Sequence, residues 1–233
     1  MPGNKLQILC TGPVETGSFQ SADDVDIDLI PFVRINTVTD PAIRDQILRI
    51  ADLKTDIIFS SINAVKTVTG FLKGKKPDWS VYCIGYATRE AVENYFGINA
   101  IKKTGRNAEE LAHLINDPKE VYFFCGNLRR AELPGILSVK GIEVNEISVY
   151  STELTPVAIG KQYDAILFFS PSAVSSFFQK NTIPDNSMLF AIGETTAAEI
   201  RKFSGKEIFT SDIPDKISLL KKAISLLKSA GTT

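Results

Sequence analysis

Asp-Ile-Ile-Phe-Ser-Ser-Ile-Asn-Ala-Val (56–65) occurs a second time, in altered form, as Ala-Ile-Leu-Phe-Phe-Ser-Pro-Ser-Ala-Val (165–174). A second motif follows each copy: Cys-Ile-Gly-Tyr-Ala-Thr (83–88) after the first and Ala-Ile-Gly-Glu-Thr-Thr (191–196) after the second. The spacing from serine to glycine is 24 positions in the first copy and 23 in the second. Two motif pairs at nearly equal spacing predict two similar domains, because a period of about 109 residues is too long for a solenoid.

Brief apolar runs alternate with amphipathic ones along most of the chain, and a polar or glycine-containing turn follows each run. This rhythm predicts βα units on a parallel sheet. Strands are predicted over 6–10, 27–33, 57–59, 81–84, 100–102, 121–125, 144–150, 165–169, 188–192 and 207–209. Helices are predicted from about residue 64, after the turn at 85–88 through residue 95, over 108–115, after 126–130, and over 216–227.

The second copy stops one strand short of the first, which continues to the strand predicted over 121–125. A candidate for the missing strand is Gln-Ile-Leu-Cys-Thr-Gly (7–12), which is similar to Tyr-Phe-Phe-Cys-Gly (122–126). We therefore expect a discontinuous α/β domain of residues 1–30 plus 155–233, an inserted α/β domain of residues 40–143, and linker strands at 31–39 and 144–154. The predicted fold is α/β, with two similar doubly wound parallel-sheet domains of flavodoxin-like type joined by a two-stranded β linker.

Composition excludes several classes of protein. The content of 44% hydrophobic and 23% charged residues is that of an ordinary soluble globular protein. A net charge of -1 argues against nucleic-acid binding by bulk electrostatics. Three cysteines without paired spacing argue against a disulfide scaffold and favour a reducing compartment. The first residues lack an apolar signal core and no run approaches a membrane span, so a cytoplasmic protein without membrane association is expected.

The polar turns that follow the predicted strands are the candidate binding positions. They lie at 60–61, 85–88, 126–127, 170–172 and 193–196, and each precedes a helix. In doubly wound domains ligands bind beyond the carboxyl ends of the strands, and helix N-termini attract carboxylates and phosphates. The plainer interpretation is that each serine or threonine only caps its helix, contributing ~1 kcal/mol to folding.

Other catalytic signatures are missing from the sequence. It contains neither a Gly-x-Gly-x-x-Gly dinucleotide fingerprint nor a phosphate-binding P-loop motif. The single histidine, His113, is expected to be a structural helix residue, and one histidine with scattered cysteines argues against a zinc site. Cys10 and Cys125 end apolar strands, so packing is a better interpretation than nucleophilic chemistry. No metal site is therefore predicted.

Six short motifs, in order, resemble the uroporphyrinogen-III synthase family. The resemblance runs from about residue 56 to residue 220. It rests on Phe59-Ser60-Ser61 with Ala64-Val65, Ile84-Gly85 with Thr88, Cys125-Gly126-Asn127 with Arg130 and Leu133, Val149-Tyr150 with Thr152, Phe169-Ser170-Pro171-Ser172-Ala173-Val174, and Ile192-Gly193 with Thr195-Thr196-Ala197.

The resemblance implies a cofactor-free lyase. We also expect a monomer that binds no nucleic acid. Its implied substrate is hydroxymethylbilane, a linear tetrapyrrole with eight carboxylate side chains. That substrate would be closed to uroporphyrinogen III in a cleft between the domains, with loss of water and inversion of ring D. The implied acid is Tyr150. The implied substrate-binding residues, each partly dispensable because binding is distributed, are Ser61, Thr88, Asn127, Arg130, Ser170, Ser172, Thr195 and Thr196.

Two other functions remain open from the residues alone. The first is a non-enzymatic, two-lobed module that binds a small molecule. The second is a flavodoxin-like protein that carries a flavin.

Overall fold

The computed structural model of the protein describes residues 5–14, 24–129 and 131–230. The chain divides into two compact units, one of Met1–Arg34 with Glu153–Thr233 and one of Ile35–Thr152. In chain order the elements are β1 (Leu6–Cys10), β2 (Val25–Leu29), β3 (Val33–Thr37), α1 (Pro41–Ile50), β4 (Thr55–Phe59), α2 (Ile62–Leu72), β5 (Trp79–Ile84), α3 (Tyr86–Phe96), β6 (Ile101–Gly105), α4 (Ala108–Leu114), β7 (Glu120–Gly126), α5 (Glu132–Val139), β8 (Glu143–Leu154), β9 (Ala165–Phe168), α6 (Pro171–Phe177), β10 (Met188–Ala191), α7 (Glu194–Ile200), β11 (Ile208–Thr210) and α8 (Lys216–Ala230).

The discontinuous unit is built on a five-stranded sheet in the order β11-β10-β9-β1-β2, and its neighbouring strands are all parallel. Counted along the chain this is the 2-1-3-4-5 order of flavodoxin-like sheets. The N-terminal strand β1 pairs directly with β9, with Ile8 opposite Ala165. The N-terminal segment therefore supplies a strand to the sheet that contains the second copy of the motif.

The continuous unit is built on a six-stranded sheet in the order β3-β8-β7-β4-β5-β6, in which β4 to β8 form parallel pairs. Its order β6-β5-β4-β7-β8 matches β11-β10-β9-β1-β2 of the other unit, strand for strand. In both sheets the first repeated motif ends the central strand, β4 or β9, and the second ends its neighbour, β5 or β10. The predicted α/β class with two similar doubly wound sheets is confirmed.

The chain passes between the units within β3 and β8, which are neighbours in the second sheet. The first part of β8 also pairs with β7, from Glu120 opposite Glu143 to Gly126 opposite Tyr150. Residues 143–150 are therefore an integral strand of the second sheet, in addition to leading back to the first unit. Their place in the sheet follows from the apolar residues Ile147 and Val149, which are buried in its core.

Each sheet is buried on both faces, which explains why its central strands are continuous apolar runs. In β4, Ile57 and Phe59 pack into one cluster and Ile58 packs into another, on the opposite face. In β1, Leu9 and Ile8 divide in the same way between the two clusters of the other unit.

Two predicted elements differ from the structure. The single strand predicted over 27–33 is wrong: β2 ends at Leu29, and β3 begins only at Val33. Pro31, which has no N–H to donate to a ladder, lies in the break, and the side chain of Phe32 is fully buried there. The strand predicted over 100–102 begins instead with a 3₁₀ turn at Ile98–Ala100, and β6 follows it.

A helix not predicted from the sequence, α1, occupies Pro41–Ile50. The Asp40 side chain accepts a hydrogen bond from the Ala42 N–H at 2.8 Å, and proline stands at the first helical position. Ile47 and Ile50 are buried. An N-cap aspartate followed by proline is a recognisable start signal for a helix.

Candidate active site

The carboxyl ends of β4 and β7 lie side by side at the centre of the second sheet. From β4 the chain continues through α2 to β5 on one side, and from β7 through α5 to β8 on the other. Such a reversal of strand order is where doubly wound domains bind ligands. Ser61 follows β4 at this point, and Gly126 ends β7.

Tyr150, the candidate acid, lies against this point. Its ring packs on the backbone of Gly126 so closely that a Cβ added there would be 2.5 Å from the Tyr150 Cζ and 2.8 Å from its Oη. The residue is half-buried, and β7 and β8 place Gly126 directly opposite Tyr150 in the ladder. Only glycine at position 126 leaves room for the ring.

The environment of Tyr150 keeps its phenol protonated. Burial raises the pKa of the Tyr150 hydroxyl, and hydrogen bonding with the Ser61 side chain offsets only part of that rise. The group is therefore a proton and hydrogen-bond donor at neutral pH. The structure thus brings together two residues that were predicted separately, one as acid and one as substrate ligand.

A register shift in β8 changes the face of the sheet to which the Tyr150 side chain points. Cys125 lies opposite Ser148, but the next residue, Gly126, lies opposite Tyr150, so Val149 is an extra residue in the ladder. Consecutive residues of a regular strand point to opposite faces. Here Val149 and Tyr150 both pack against the same apolar cluster, which is the effect of a β-bulge that redirects a side chain.

Asn127 uses its side chain on the backbone of β8. Its Oδ1 accepts a hydrogen bond from the Thr152 N–H at 2.7 Å, and its Nδ2 donates to the Thr152 carbonyl at 3.4 Å. Its own N–H donates to the Tyr150 carbonyl at 3.3 Å. The structure therefore brings Asn127, Tyr150 and Ser61 to one edge of the sheet.

The serines that start α2 and α6 are helix caps. Ser61 accepts a hydrogen bond from the Asn63 N–H at 3.1 Å, and Ser170 accepts one from the Ala173 N–H at 3.2 Å. The Ser170 hydroxyl also lies 3.1 Å from that of Ser172. The capping interpretation thus accounts for part of what these hydroxyl groups do, and both serines remain partly exposed.

The helices that follow the Ile-Gly motifs start differently. The N-cap residues are Gly85 and Gly193, and neither helix start has a side-chain cap. The side chains of Thr88 and Thr196 are buried, with 5% and 3% of their surface exposed, whereas Thr195 is exposed. In the first turn of α3 the early backbone N–H groups are the ones available to an anion. Thr88 is therefore better placed to pack the turn than to reach a ligand with its hydroxyl.

Several charged groups lie near these strand ends. Lys216 of α8 donates from Nζ to the Pro13 carbonyl at 2.6 Å, and its Nζ lies 5.0 Å from the ring centroid of Phe169. Glu194, which starts α7, is paired with Arg201. Arg130, predicted to bind substrate, lies outside the described residues. Sequence reasoning missed Lys216, because a lysine at the start of a helix carries no signal of its own.

The three cysteines are free, buried side chains. Burial raises the pKa of the Cys10 thiol to about 12, and it also raises the pKa of Cys83 and Cys125. They are therefore not nucleophiles at neutral pH. Within the part of the chain that the structure describes, no group of three or more His, Cys, Asp or Glu side chains could hold a metal ion. None of the helices described has the length and apolar composition needed to span a bilayer.

Comparisons with known proteins point to one family. The family model described as uroporphyrinogen-III synthase HemD matches residues 21–221. A uroporphyrinogen-III synthase of Saccharomyces cerevisiae is 29% identical over 191 residues, which cover 67% of each chain.

Solved structures show the same fold. A mutant uroporphyrinogen III synthase from the extremely thermophilic bacterium Thermus thermophilus superimposes with a TM-score of 0.70 at 16% identity, covering 97% of this chain and 99% of the other. The Helicobacter pylori enzyme gives 0.59 at 18% identity, covering 95% and 99%. With a family model that matches most of its length, this chain belongs to the uroporphyrinogen-III synthase family.

Proposed function

We propose that Tyr150 is the acid in the reaction of this family member and that the surrounding helix starts bind the carboxylates of its substrate. As a member of the family, the protein is a cyclising lyase of tetrapyrrole biosynthesis. The substrate is hydroxymethylbilane and the product uroporphyrinogen III. The alternatives of a binding module and a flavin carrier find no support in the comparisons.

The observation that carries the proposal is the Tyr150 phenol, held protonated beside Ser61 at the carboxyl ends of β4 and β7. In the first step the C–O bond of the ring A hydroxymethyl group breaks. The leaving hydroxide takes the phenol proton and departs as water, and an azafulvene cation remains. A positioned acid of this kind contributes typically 10²–10⁴-fold to a rate.

The remaining steps are carbon–carbon bond changes. Ring D attacks the azafulvene through its substituted carbon, and the spiro intermediate that forms then opens. Ring D closes again in the opposite sense, and the carbon that forms the last bridge loses a proton. That proton restores the Tyr150 phenol, so the cycle consumes none. Holding the two ends of the chain in a near-attack geometry is the main task of the protein.

In each unit we propose carboxylate-binding groups at the strand ends. In the continuous unit these are the Ser61 hydroxyl and the backbone N–H groups that begin α3. In the discontinuous unit we propose Ser170, Ser172, Thr195 and the backbone beside Thr196. Each charge-assisted hydrogen bond contributes about 1.5–3 kcal/mol, so the loss of one group weakens binding without abolishing it.

The test is an isomer assay with freshly generated hydroxymethylbilane. We expect the protein to form uroporphyrinogen III, and Tyr150→Phe to lower kcat on the order of 10²-fold or more without changing the KM greatly. Tyr122→Phe, which removes another hydroxyl from the same sheet, is the matched control and should keep full activity. Isomer I as the only product of the folded protein would refute the enzymatic function, and a normal kcat for Tyr150→Phe would refute the role of Tyr150.

We further propose that the protein acts as a monomer in the cytoplasm, without nucleic-acid or membrane partners. Three free, buried thiols and a net charge of -1 support this proposal. Light scattering during size-exclusion chromatography tests the oligomeric state, because a particle of twice 25.6 kDa would contradict it.

A further inference from the structure

We propose that Asn127 is a positioning residue for Tyr150, and that its side-chain amide acts as a clip on β8 instead of binding substrate. The inference rests on the proposed role of Tyr150 as the acid. It differs from what the motif resemblance implies, which is that Asn127 contacts a substrate carboxylate.

The clip begins where the strand ladder ends. β7 stops at Gly126, whereas β8 continues to Leu154, so beyond Tyr150 the β7 side of β8 has no further strand residue to pair with. The Asn127 side chain supplies the missing contacts, since it both accepts from and donates to the backbone of Thr152. With the bond from the Asn127 N–H to the Tyr150 carbonyl, one residue holds the strand at two alternate positions.

The clip matters because the strand is irregular at this point. The extra residue Val149 breaks the regular register, and the Ser148 hydroxyl donates to the Tyr150 carbonyl at 3.5 Å. A bulge bends and twists its strand locally, so its direction needs support on the far side. The Asn127 side chain provides that support at Thr152, two residues after Tyr150.

The amide retains one N–H that could donate to a substrate carboxylate. Its oxygen can accept two hydrogen bonds but cannot donate any, and its –NH₂ group has two protons, of which one points to Thr152. A carboxylate would have to compete with, or bind beside, the existing contact. A purely structural or positioning role therefore accounts for the geometry, and kinetics distinguishes it from a binding role.

Loss of the clip is expected to act on turnover. The phenol oxygen is at the far end of its side chain, so a small rotation of the strand displaces it by about 1 Å, and a displacement of that size costs on the order of 10²-fold in rate. Asn127 is exposed, and water can replace its contacts with Thr152. The variant should therefore fold normally.

The experiment compares kcat and KM for isomer III formation in four variants of the full chain. Asn127→Ala should lower kcat roughly 10- to 100-fold and leave KM within about twofold. Asn127→Asp keeps the acceptor for the 2.7 Å bond and should recover most of kcat, while its added charge raises the KM for a polycarboxylate. The double variant Asn127→Ala with Tyr150→Phe should be no slower than Tyr150→Phe alone.

Asn145→Ala is the matched control, because it removes an amide contact to Glu120 at the other end of β8. It should leave both constants unchanged. A raised KM with normal kcat in Asn127→Ala would overturn the inference in favour of substrate binding. So would a double variant slowed by the product of the two single effects. A normal rate for Tyr150→Phe would instead refute the proposed acid, and with it this inference.

Discussion

Replacing Gly126 by alanine should displace the Tyr150 phenol, which we propose to be the acid. The glycine lies in a regular extended strand, and its φ angle is not among the positive ones, so the backbone itself would accept alanine. The obstacle is the ring of Tyr150, whose Cζ and Cε2 atoms would lie 2.5 and 2.6 Å from the new Cβ. Ordinary contacts between carbon atoms are about 3.5–4.0 Å, so the ring must move by about 1 Å.

The size of the effect follows from that displacement. A shift of about 1 Å in a reacting group costs on the order of 10²-fold in rate, and forcing an extra methyl group into a packed site costs typically about 1–3 kcal/mol of stability. We therefore expect Gly126→Ala to lose on the order of 10²-fold in kcat for isomer III. Isomer I, which forms without the enzyme, should then accumulate in the same assay.

The control is Gly135→Ala in α5, where no atom lies within 4 Å of the added Cβ. Alanine in a helix is favoured over glycine by roughly 0.5–1 kcal/mol, so this variant should be slightly more stable and fully active. Chemical denaturation measures the stability of each variant, and the isomer assay measures its turnover, so the two effects can be separated. A Gly126→Ala protein that makes isomer III at the normal rate would refute the reasoning, because the ring position would then not matter to catalysis.

Two further predictions concern stability. Lys140 donates from Nζ to three carbonyls at and beyond the end of α4 and to one amide oxygen, so Lys140→Met should cost about 1–2 kcal/mol in urea unfolding, and an unchanged midpoint would contradict this. Hydrogen bonds from Lys161 and from Tyr163 lower the pKa of the Asp28 carboxyl. A lowered carboxyl pKa contributes stability above the unfolded-state pKa, and this contribution is lost as the pH falls through the lowered value. The free energy of unfolding between about pH 7 and 2 should therefore decline more for the wild type than for Asp28→Asn. Equal pH dependence of the two proteins would contradict the prediction.

The architecture was accessible from local patterns. Hydrophobic runs and the turns after them are set by neighbouring residues, so β1 is predicted over its full length and the repeated motifs assign it to the sheet of β9. The strand predicted wrongly after β2 and the unpredicted helix α1 also have local causes. Pro31 interrupts the apolar run after β2. The start signal of α1 consists only of Asp40 and Pro41, which precede its apolar positions.

The composition of the site was also accessible, but not its arrangement. Ser61, Asn127 and Tyr150 can each be singled out by motif. Which of them donates, which caps a helix and which holds a strand depends on the bulge at Val149 and on the end of β7 at Gly126.

The sequence of this protein thus specifies its two α/β units through hydrophobic periodicity and turn residues, which act over a few positions. The meeting of the Tyr150 phenol with Ser61, and its fit over Gly126, depends on the register between strands that are far apart in sequence. Register is a property of the packed sheet, because one extra residue in a ladder turns every side chain after it to the other face. That is why the family is recognisable from the residues, whereas the positions of the proposed site residues are set only in the folded protein.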